Sequence, residues 1–299
     1  MHTPIILHNR LQDLYDSLGI PIEQDVEFTI HPIEEIHKET IRSPVFRANY
    51  YSFLFIETGK GKYMLGHREF LIRPGTIYFT NPGHLKSFET FEPYTGHMIS
   101  FSEKFLKQNV HPKVFEDFPF LLAETVPPGY LEPDEYAEFK KILLQILEEA
   151  RSGSAYKYKI VGNLFVVLLL KVKERFWKDY DPLHESDRGS EIVNTFRQNL
   201  ERTYRELISL DRLPNVQDYA EQQQLHPNYF NTVIKSKTGK SANTWITEKT
   251  IAEAQALLSQ SQLTIKEIAY HLKFSEPTHF SKFFKKHCGV PPTRYRREL

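Results

Sequence analysis

TIKEIAYHLKFSEPTHFSKFFKKHCGVPPTRYR, residues 264–296, decides the fold. Thr264 and Glu267 have capping-box spacing, and Ile265, Ile268, Ala269 and Leu272 fall on one helical stripe. A short helix that buries this face is therefore expected here. After Lys273-Phe274 the chain turns, and Ser275 is placed to cap a second helix with Pro277 in its first turn, where a missing N–H costs little. Phe280, Phe283 and Phe284 point inward, and Gly289 followed by Pro291-Pro292 ends the helix. Thr278, Ser281, Lys282 and Lys285 are left on its outer side. The pair reads as a helix-turn-helix whose second helix can enter a major groove.

A second copy lies upstream. Asn215, Val216, Asp218, Tyr219 and Ala220 open an equivalent first helix, and Phe230, Val233 and Ile234 line an equivalent second one ended by Gly239. Phe230 and Phe280, Ile234 and Phe284, Lys235 and Lys285, and Gly239 and Gly289 are each 50 apart, while Ala220 and Ala269 are 49 apart. The one-residue slip falls in the turn. A repeat that keeps its apolar skeleton and changes its exposed residues uses one scaffold twice with different outer faces. Between the copies, residues 241–258 read as a single helix of about 27 Å at 1.5 Å per residue. Successive major grooves on one face of a duplex recur every ~34 Å, so a rod of this size suits two helices reading consecutive turns.

The 38 basic and 38 acidic side chains of this 299-residue chain cancel overall but not locally. Residues 191–299 carry 16 Lys and Arg against 11 Asp and Glu, and from Tyr229 onward the balance is 12 against 5. Such a local excess suits phosphate contact, although an uneven solvated surface gives the same count. Cys288 is the only cysteine, which excludes an intramolecular disulfide and fits a reducing compartment. The N-terminus lacks the features of a signal peptide, and the longest apolar run, residues 164–170, is far short of a membrane span. A soluble cytoplasmic protein is expected.

Upstream, short strands are expected at 51–57, 61–65, 68–72, 76–80 and 97–101, punctuated by Gly59, Gly66, Pro74-Gly75, Pro82-Gly83 and Pro93. Weaker signals suggest a helix at 11–18 and strands at 26–30 and 46–50. Many short antiparallel strands indicate a barrel or sandwich. Its candidate lining residues are Phe53, Phe55, Tyr63, Tyr78, Phe79, Phe88, His84 and His97, with plain core as the competing role for each aromatic. His67, His84 and His97 are the only candidates for a metal site, but they lack a compact ligand spacing, so no metal is expected. No nucleophile motif, phosphate-binding glycine loop or carboxylate pair points to catalysis. Helices follow at 135–151 and 156–177; the second has more apolar surface than one packed face needs, which points to a homodimer contact or to an intramolecular core. Residues 179–190 read as a linker, and a helix at 191–210 packs beneath the first helix-turn-helix.

Residues 191–299 resemble the DNA-binding domain of the AraC/XylS transcriptional regulators. The resemblance rests on I-x-E-I-A at 265–269, Phe274, F-x-x-x-F-K-K-x-x-G at 280–289 and P-x-x-Y-R at 292–296. The first unit matches more loosely, through Ala220, Leu225, His226-Pro227, Tyr229-Phe230, Ile234-Lys235 and Gly239. The domain order resembles members with an N-terminal cupin-like sensory barrel and dimerisation helices. The implied architecture is a two-domain α+β chain: residues 1–181 sensory and dimerising, with the barrel at about 20–105 and helices at about 134–178; 182–190 linker; and 191–299 DNA-binding, all-α, with two helix-turn-helix units joined by a linker helix.

The resemblance implies a regulator that binds double-stranded DNA, recruits or blocks RNA polymerase, and answers to a small-molecule effector, more often as activator than repressor. Carried over by position, the DNA-binding candidates are Asn228, Asn231, Thr232 and Lys235 in the first unit. In the second they are Glu276, Pro277, Thr278, Ser281, Lys282, Lys285 and Lys286. The effector-binding candidates are Phe53, Phe55, Tyr63, Tyr78, His84 and His97. No catalytic residue and no cofactor is implied. Three positions depart from the family pattern: Thr250 stands where many members have an arginine, Lys273 takes a turn position usually held by glycine, and His279 replaces a common aromatic. Two further readings are a cupin-type metalloenzyme fused to a DNA-binding domain and an effector-free architectural or protein-interaction module.

Overall fold

The computed structural model describes residues 5–36, 39–65, 68–111, 114–123, 127–177 and 188–297. The chain divides into two compact units, residues 1–185 and 186–299, each built around its own apolar core.

The first unit runs β1 (Ile6–His8), α1 (Leu11–Ser17), β2 (Phe28–Pro32), α2 (Ile33–Ile36), β3 (Phe46–Ala48), β4 (Tyr51–Leu65), β5 (Arg68–Ile72), β6 (Thr76–Thr80) and β7 (Leu85–Phe101). Strands β4 and β7 pair antiparallel over most of their length. The ends of β4 also hold β6 and β5, and the ends of β7 hold β2 and β3. After α3 (Glu103–Phe105), a π-helical turn (Leu106–Val110) and α4 (Val114–Asp117) comes the short β8 (Gly129–Tyr130), which adds to β6. The hydrogen-bonded path β1-β3-β7-β4-β6-β8, with β2 and β5 as branches, does not return to its start. The expected barrel is thus an open, branched sheet among the described strands.

The strands expected separately at 51–57 and 61–65 are one, because register shifts between Ile56 and Gly61 bend β4 without ending it. Gly59 has φ +98°, and a Cβ there would strike the Pro93 carbonyl oxygen. Pro93 lies in the matching irregular stretch of β7, where a missing N–H breaks no ladder bond. It therefore does not punctuate the strand, and the segment expected at 97–101 extends back to Leu85.

Two long helices, α5 (Pro133–Ala150) and α6 (Lys157–Phe176), complete this unit. A Glu132–Glu135 capping box and Pro133 in the first turn start α5. Its buried stripe of Tyr136, Phe139, Leu143 and Ile146 joins Phe165, Leu168, Leu169 and Val172 of α6 in one cluster with the sheet residues Phe53, Phe55, Phe79, Ile99 and Phe101. Gly162 lets α6 approach the π-helical turn so closely that a Cβ would overlap the Asn109 carbonyl. The excess apolar surface of α6 divides: one stripe is buried, while Tyr156, Ile160, Val167 and Leu170 stay exposed.

The second unit comprises α7 (Arg188–Arg205), a 3-10 turn (Leu207–Ser209), α8 (Val216–Gln222), α9 (Pro227–Thr238), α10 (Ala242–Gln260), α11 (Ile265–His271), α12 (Pro277–Cys288) and α13 (Pro292–Arg297). Of the expected linker, residues 179–187 lie outside the described residues and Arg188–Ser190 open α7.

The repeat is visible in the caps. Asn215–Asp218 and Thr264–Glu267 form capping boxes on α8 and α11, and α9 and α12 each begin with proline and end on a left-handed glycine, Gly239 at φ 81° and Gly289 at φ 78°. Gln224 (φ 56°) and Lys273 (φ 61°) make the same left-handed turn in the two copies, at a cost of roughly 1–2 kcal/mol each. Ser275 is not the cap of α12. The residue before a proline favours extended backbone, so the N-cap falls on Glu276 (φ −140°, ψ 142°), and the Ser275 hydroxyl meets His279 Nδ1 at 3.2 Å instead.

Thr250, where a linker-helix arginine is usual, is buried and hydrogen-bonded to the Tyr204 hydroxyl. The cation sits one residue earlier: Lys249, 2% exposed, pairs with Glu201 of α7. Arg296, the end of the P-x-x-Y-R motif, donates to the carbonyls of Leu258 (3.2 Å) and Leu263 (2.6 Å), tying α13 to the end of α10.

Candidate nucleic-acid interface and effector cavity

In α9, Phe230 and Ile234 are fully buried, which turns Asn228, Thr232 and Lys235 outward. In α12, burial of Phe280 and Phe284 turns Thr278, Lys282 and Lys285 outward in the same way. Steps of four and three residues put each trio on one helical stripe. The two stripes are equivalent positions of the repeat, 50 residues apart. Lys286 is exposed beside the second stripe, and Tyr229 and His279 are exposed beside the first and second. Tyr229, 50% exposed, belongs to the first unit's motif but not to the DNA-binding candidates read from sequence; a large aromatic kept in solvent next to a polar stripe is the signal for it.

Four candidates are less available. Asn231 is half-buried, and its Oδ1 accepts from the Ala242 N–H at 3.0 Å, tying α9 to the start of α10. With that oxygen engaged it lacks the free amide pair that bidentate adenine recognition uses. Ser281 is half-buried and donates to the Pro277 carbonyl at 2.9 Å. Glu276 is exposed at the N-cap and accepts from the Thr278 hydroxyl at 3.0 Å, so its charge is held beside the helix start. Pro277 is half-buried in the first turn.

In the first unit a cavity of about 320 Å³ lies against the sheet face opposite the helical pair. Residues alternate along β4, so Phe53 and Phe55 face the helices while Ser52 and Leu54 face the cavity. Of the effector candidates, Tyr63 and Tyr78 line it, stacked with ring centroids 4.7 Å apart. Phe53 and Phe55 do not, because both lie fully buried in the helix-facing core. Phe79 is in that core too, whereas Phe88 lines the cavity.

Neither histidine candidate lines it. His84 Nδ1 accepts from the Asn81 N–H at 3.3 Å in the turn between β6 and β7. His97 pairs with Phe55 in register, and burial holds its pKa below the usual imidazole value, so the ring is neutral at pH 7. His67 lies outside the described residues. Among the described residues no three His, Cys, Asp or Glu side chains cluster as a metal site would require.

Lys86 is a wall residue that no sequence signal marks. Its side chain is 5% exposed and lines the cavity, its Nζ donates to Thr80 Oγ1 at 2.9 Å, and it lies 5.3 Å from the Phe46 ring centroid. Burial, with no acidic partner among the described residues, pulls its pKa down to about 7. Among the described residues no helix is long and apolar enough to cross a membrane.

Two family models match the chain. An AraC-like ligand-binding domain covers residues 34–165, and a helix-turn-helix domain covers residues 219–298. The arabinose operon regulatory protein of Escherichia coli K12 is 23% identical over 244 residues, covering 80% of this chain and 77% of that protein. The transcriptional activator RhaR of Enterobacter sp. strain 638 is 20% identical over 241 residues, covering 80% and 81%. Among solved structures, the C-terminal domain of AraT from Geobacillus stearothermophilus is 30% identical, with 38% of this chain and 89% of that one covered and a TM-score of 0.33.

Proposed function

The chain belongs to the AraC family of DNA-binding transcriptional regulators, and from that premise we propose that it is an effector-responsive activator whose α9 and α12 read two adjacent major grooves. The observation that carries this reading is the repeated outward stripe: Asn228, Thr232 and Lys235 on one helix, and Thr278, Lys282 and Lys285 on the other, joined by the 19-residue α10. In this assignment Asn228, Thr232, Thr278 and Lys282 face base edges, where Asn suits adenine and Lys suits guanine. Lys235, Lys285 and Lys286 face phosphates, which fix position without carrying sequence information. Asn231 and Ser281 serve the fold through the bonds described above. The cavity beside Tyr63, Tyr78 and Lys86 is the effector site, and occupancy changes the DNA affinity of the second unit by a coupling free energy.

Activation is the sign adopted, in line with the activator RhaR among the relatives. In vitro transcription with RNA polymerase and a promoter carrying the protein's own site should rise several-fold on adding the protein; a fall would make it a repressor.

The exposed Val167 and Leu170 on α6, with Ile160 about two to three turns before them, form the homodimer contact in this reading, since a dimer doubles the DNA contacts. Joint Val167→Glu and Leu170→Glu should convert the protein to a monomer in sedimentation equilibrium. A dimer of unchanged affinity would place the contact elsewhere.

A further inference from the structure

The polar groups of the cavity say what kind of molecule would fill it. Most of the hydroxyls on its wall already have partners: Ser52 is bonded to Ser100, Ser43 accepts from the Phe88 N–H, Thr90 exchanges bonds with the Ile41 backbone, and Ser17 donates to the Leu14 carbonyl. A polyhydroxylated molecule would find these serine and threonine hydroxyls already engaged. Among the described residues the wall also carries four tyrosine hydroxyls, those of Tyr50, Tyr63, Tyr78 and Tyr94, and one lysine. The Tyr63 and Tyr94 hydroxyls are buried and make no hydrogen bond there, and the Lys86 ammonium is held by Thr80 and the faces of Phe46 and Tyr50.

The sheet register places these groups along one face. Lys86 is opposite Leu65 and Phe88 is opposite Tyr63, so Tyr63 and Lys86 are diagonal neighbours, roughly 7–8 Å apart at the backbone. The Tyr94 hydroxyl covers Gly61, two residues from Tyr63 on the same face, where a Cβ would collide with it. The rest of the wall includes Leu14, Ile33, Ile36, Leu54 and Met98.

A buried cation without an anion is costly, and a desolvated carboxylate brought to it would complete the pair. One lysine suits one negative charge. His8, the nearest wall histidine, is kept neutral at pH 7 by burial, and Glu39 is exposed and forms no ion pair with Lys86. A dianionic phosphate would therefore lack a second cation.

We propose that the cavity binds a small monocarboxylate with an apolar body, its carboxylate seated between the Lys86 ammonium and the Tyr63 hydroxyl and its body against the aliphatic wall. This rests on the reading of the cavity as the effector site. The lysine selects acid over alcohol, and the aliphatic wall takes the part of the molecule that water rejects.

Titration calorimetry of the full-length protein tests it with matched probes: octanoate against octanol, 4-phenylbutyrate against 4-phenylbutanol, and arabinose as a neutral polyol. At least one acid should bind at least tenfold more tightly than its alcohol, and the octanoate and phenylbutyrate arms separate an aliphatic from an aromatic body. Lys86→Met should bring the affinity for the acid down to that for its alcohol. Equal binding of acid and alcohol by the unmodified protein overturns the proposal, even if the variant fails to fold. So does an acid preference that survives Lys86→Met. If arabinose or a cell extract alters DNA binding while no acid binds, the carboxylate inference falls and the effector reading stands. If neither probes nor extract bind or alter DNA binding, both fall.

Discussion

Phe284→Ala is expected to destabilise the helical unit by about 3–5 kcal/mol, the cost of deleting a fully buried phenyl ring from a packed core. Phe284 is 0% exposed and packs against Phe280 (5.9 Å) and Tyr295 (5.4 Å). It links the second recognition helix to α13, so the cavity left behind opens on two elements at once. In thermal unfolding the helical unit should melt roughly 10–25 °C lower. The sheet-bearing unit has a separate core and should keep its own transition. Specific DNA binding should fail with the helical unit. A cost below about 1 kcal/mol, far under the usual range for a buried Phe→Ala change, would mean that Phe284 is not the anchor the packing makes it.

Replacing Lys282, Lys285 and Lys286 together by alanine should lower DNA affinity by roughly 100-fold at moderate salt and flatten its salt dependence. All three are exposed on α12, in a stretch whose basic residues outnumber its acidic ones 12 to 5 from Tyr229 onward. Removing one phosphate-neutralising lysine should reduce the slope of log affinity against log salt by about 0.9. With Lys285 and Lys286 on phosphates, the slope should fall by roughly two, and Lys282→Ala alone should act mainly by relaxing base preference. Circular dichroism guards against a trivial outcome, because lysines near a helix C-terminus also contribute about 0.3–1 kcal/mol each through the helix dipole. A variant with native helicity and an unchanged salt slope would remove α12 from the interface.

The DNA-binding unit is legible in the sequence because its signals are local. Each copy is set by a capping residue, a proline, two inward aromatic or aliphatic residues and a glycine, and the structure uses Gly239 and Gly289 as left-handed caps. The one local difference, Glu276 rather than Ser275 as the cap, arises because Pro277 requires extended backbone at the residue before it. Lys273 adopts the strained turn that its position implies.

The sheet is harder to read. Strands 68–72 and 76–80 stand where turn residues bound them, but Pro93 and Gly59 resemble breaks and are instead irregular points within long strands. Which face each β4 residue shows is not legible, because residues 51–56 are apolar or small and nearly all buried on both sides. Phe53 and Phe55 therefore read as cavity wall from sequence and are helix-facing core in the structure. Lys86 is hidden for a related reason. It lies upstream of the strand expected at 97–101, so its period-2 place with Phe88 and Thr90 has no expected strand to belong to.

Selection of bound sequences from randomised duplexes by the full-length protein asks whether α9 and α12 both read bases. The expected result is an asymmetric site in two parts whose centres are about one helical turn, roughly 10–10.5 base pairs, apart. Enrichment of a single short motif would show that only one of α9 and α12 reads bases, and no enrichment would contradict the two-groove reading altogether.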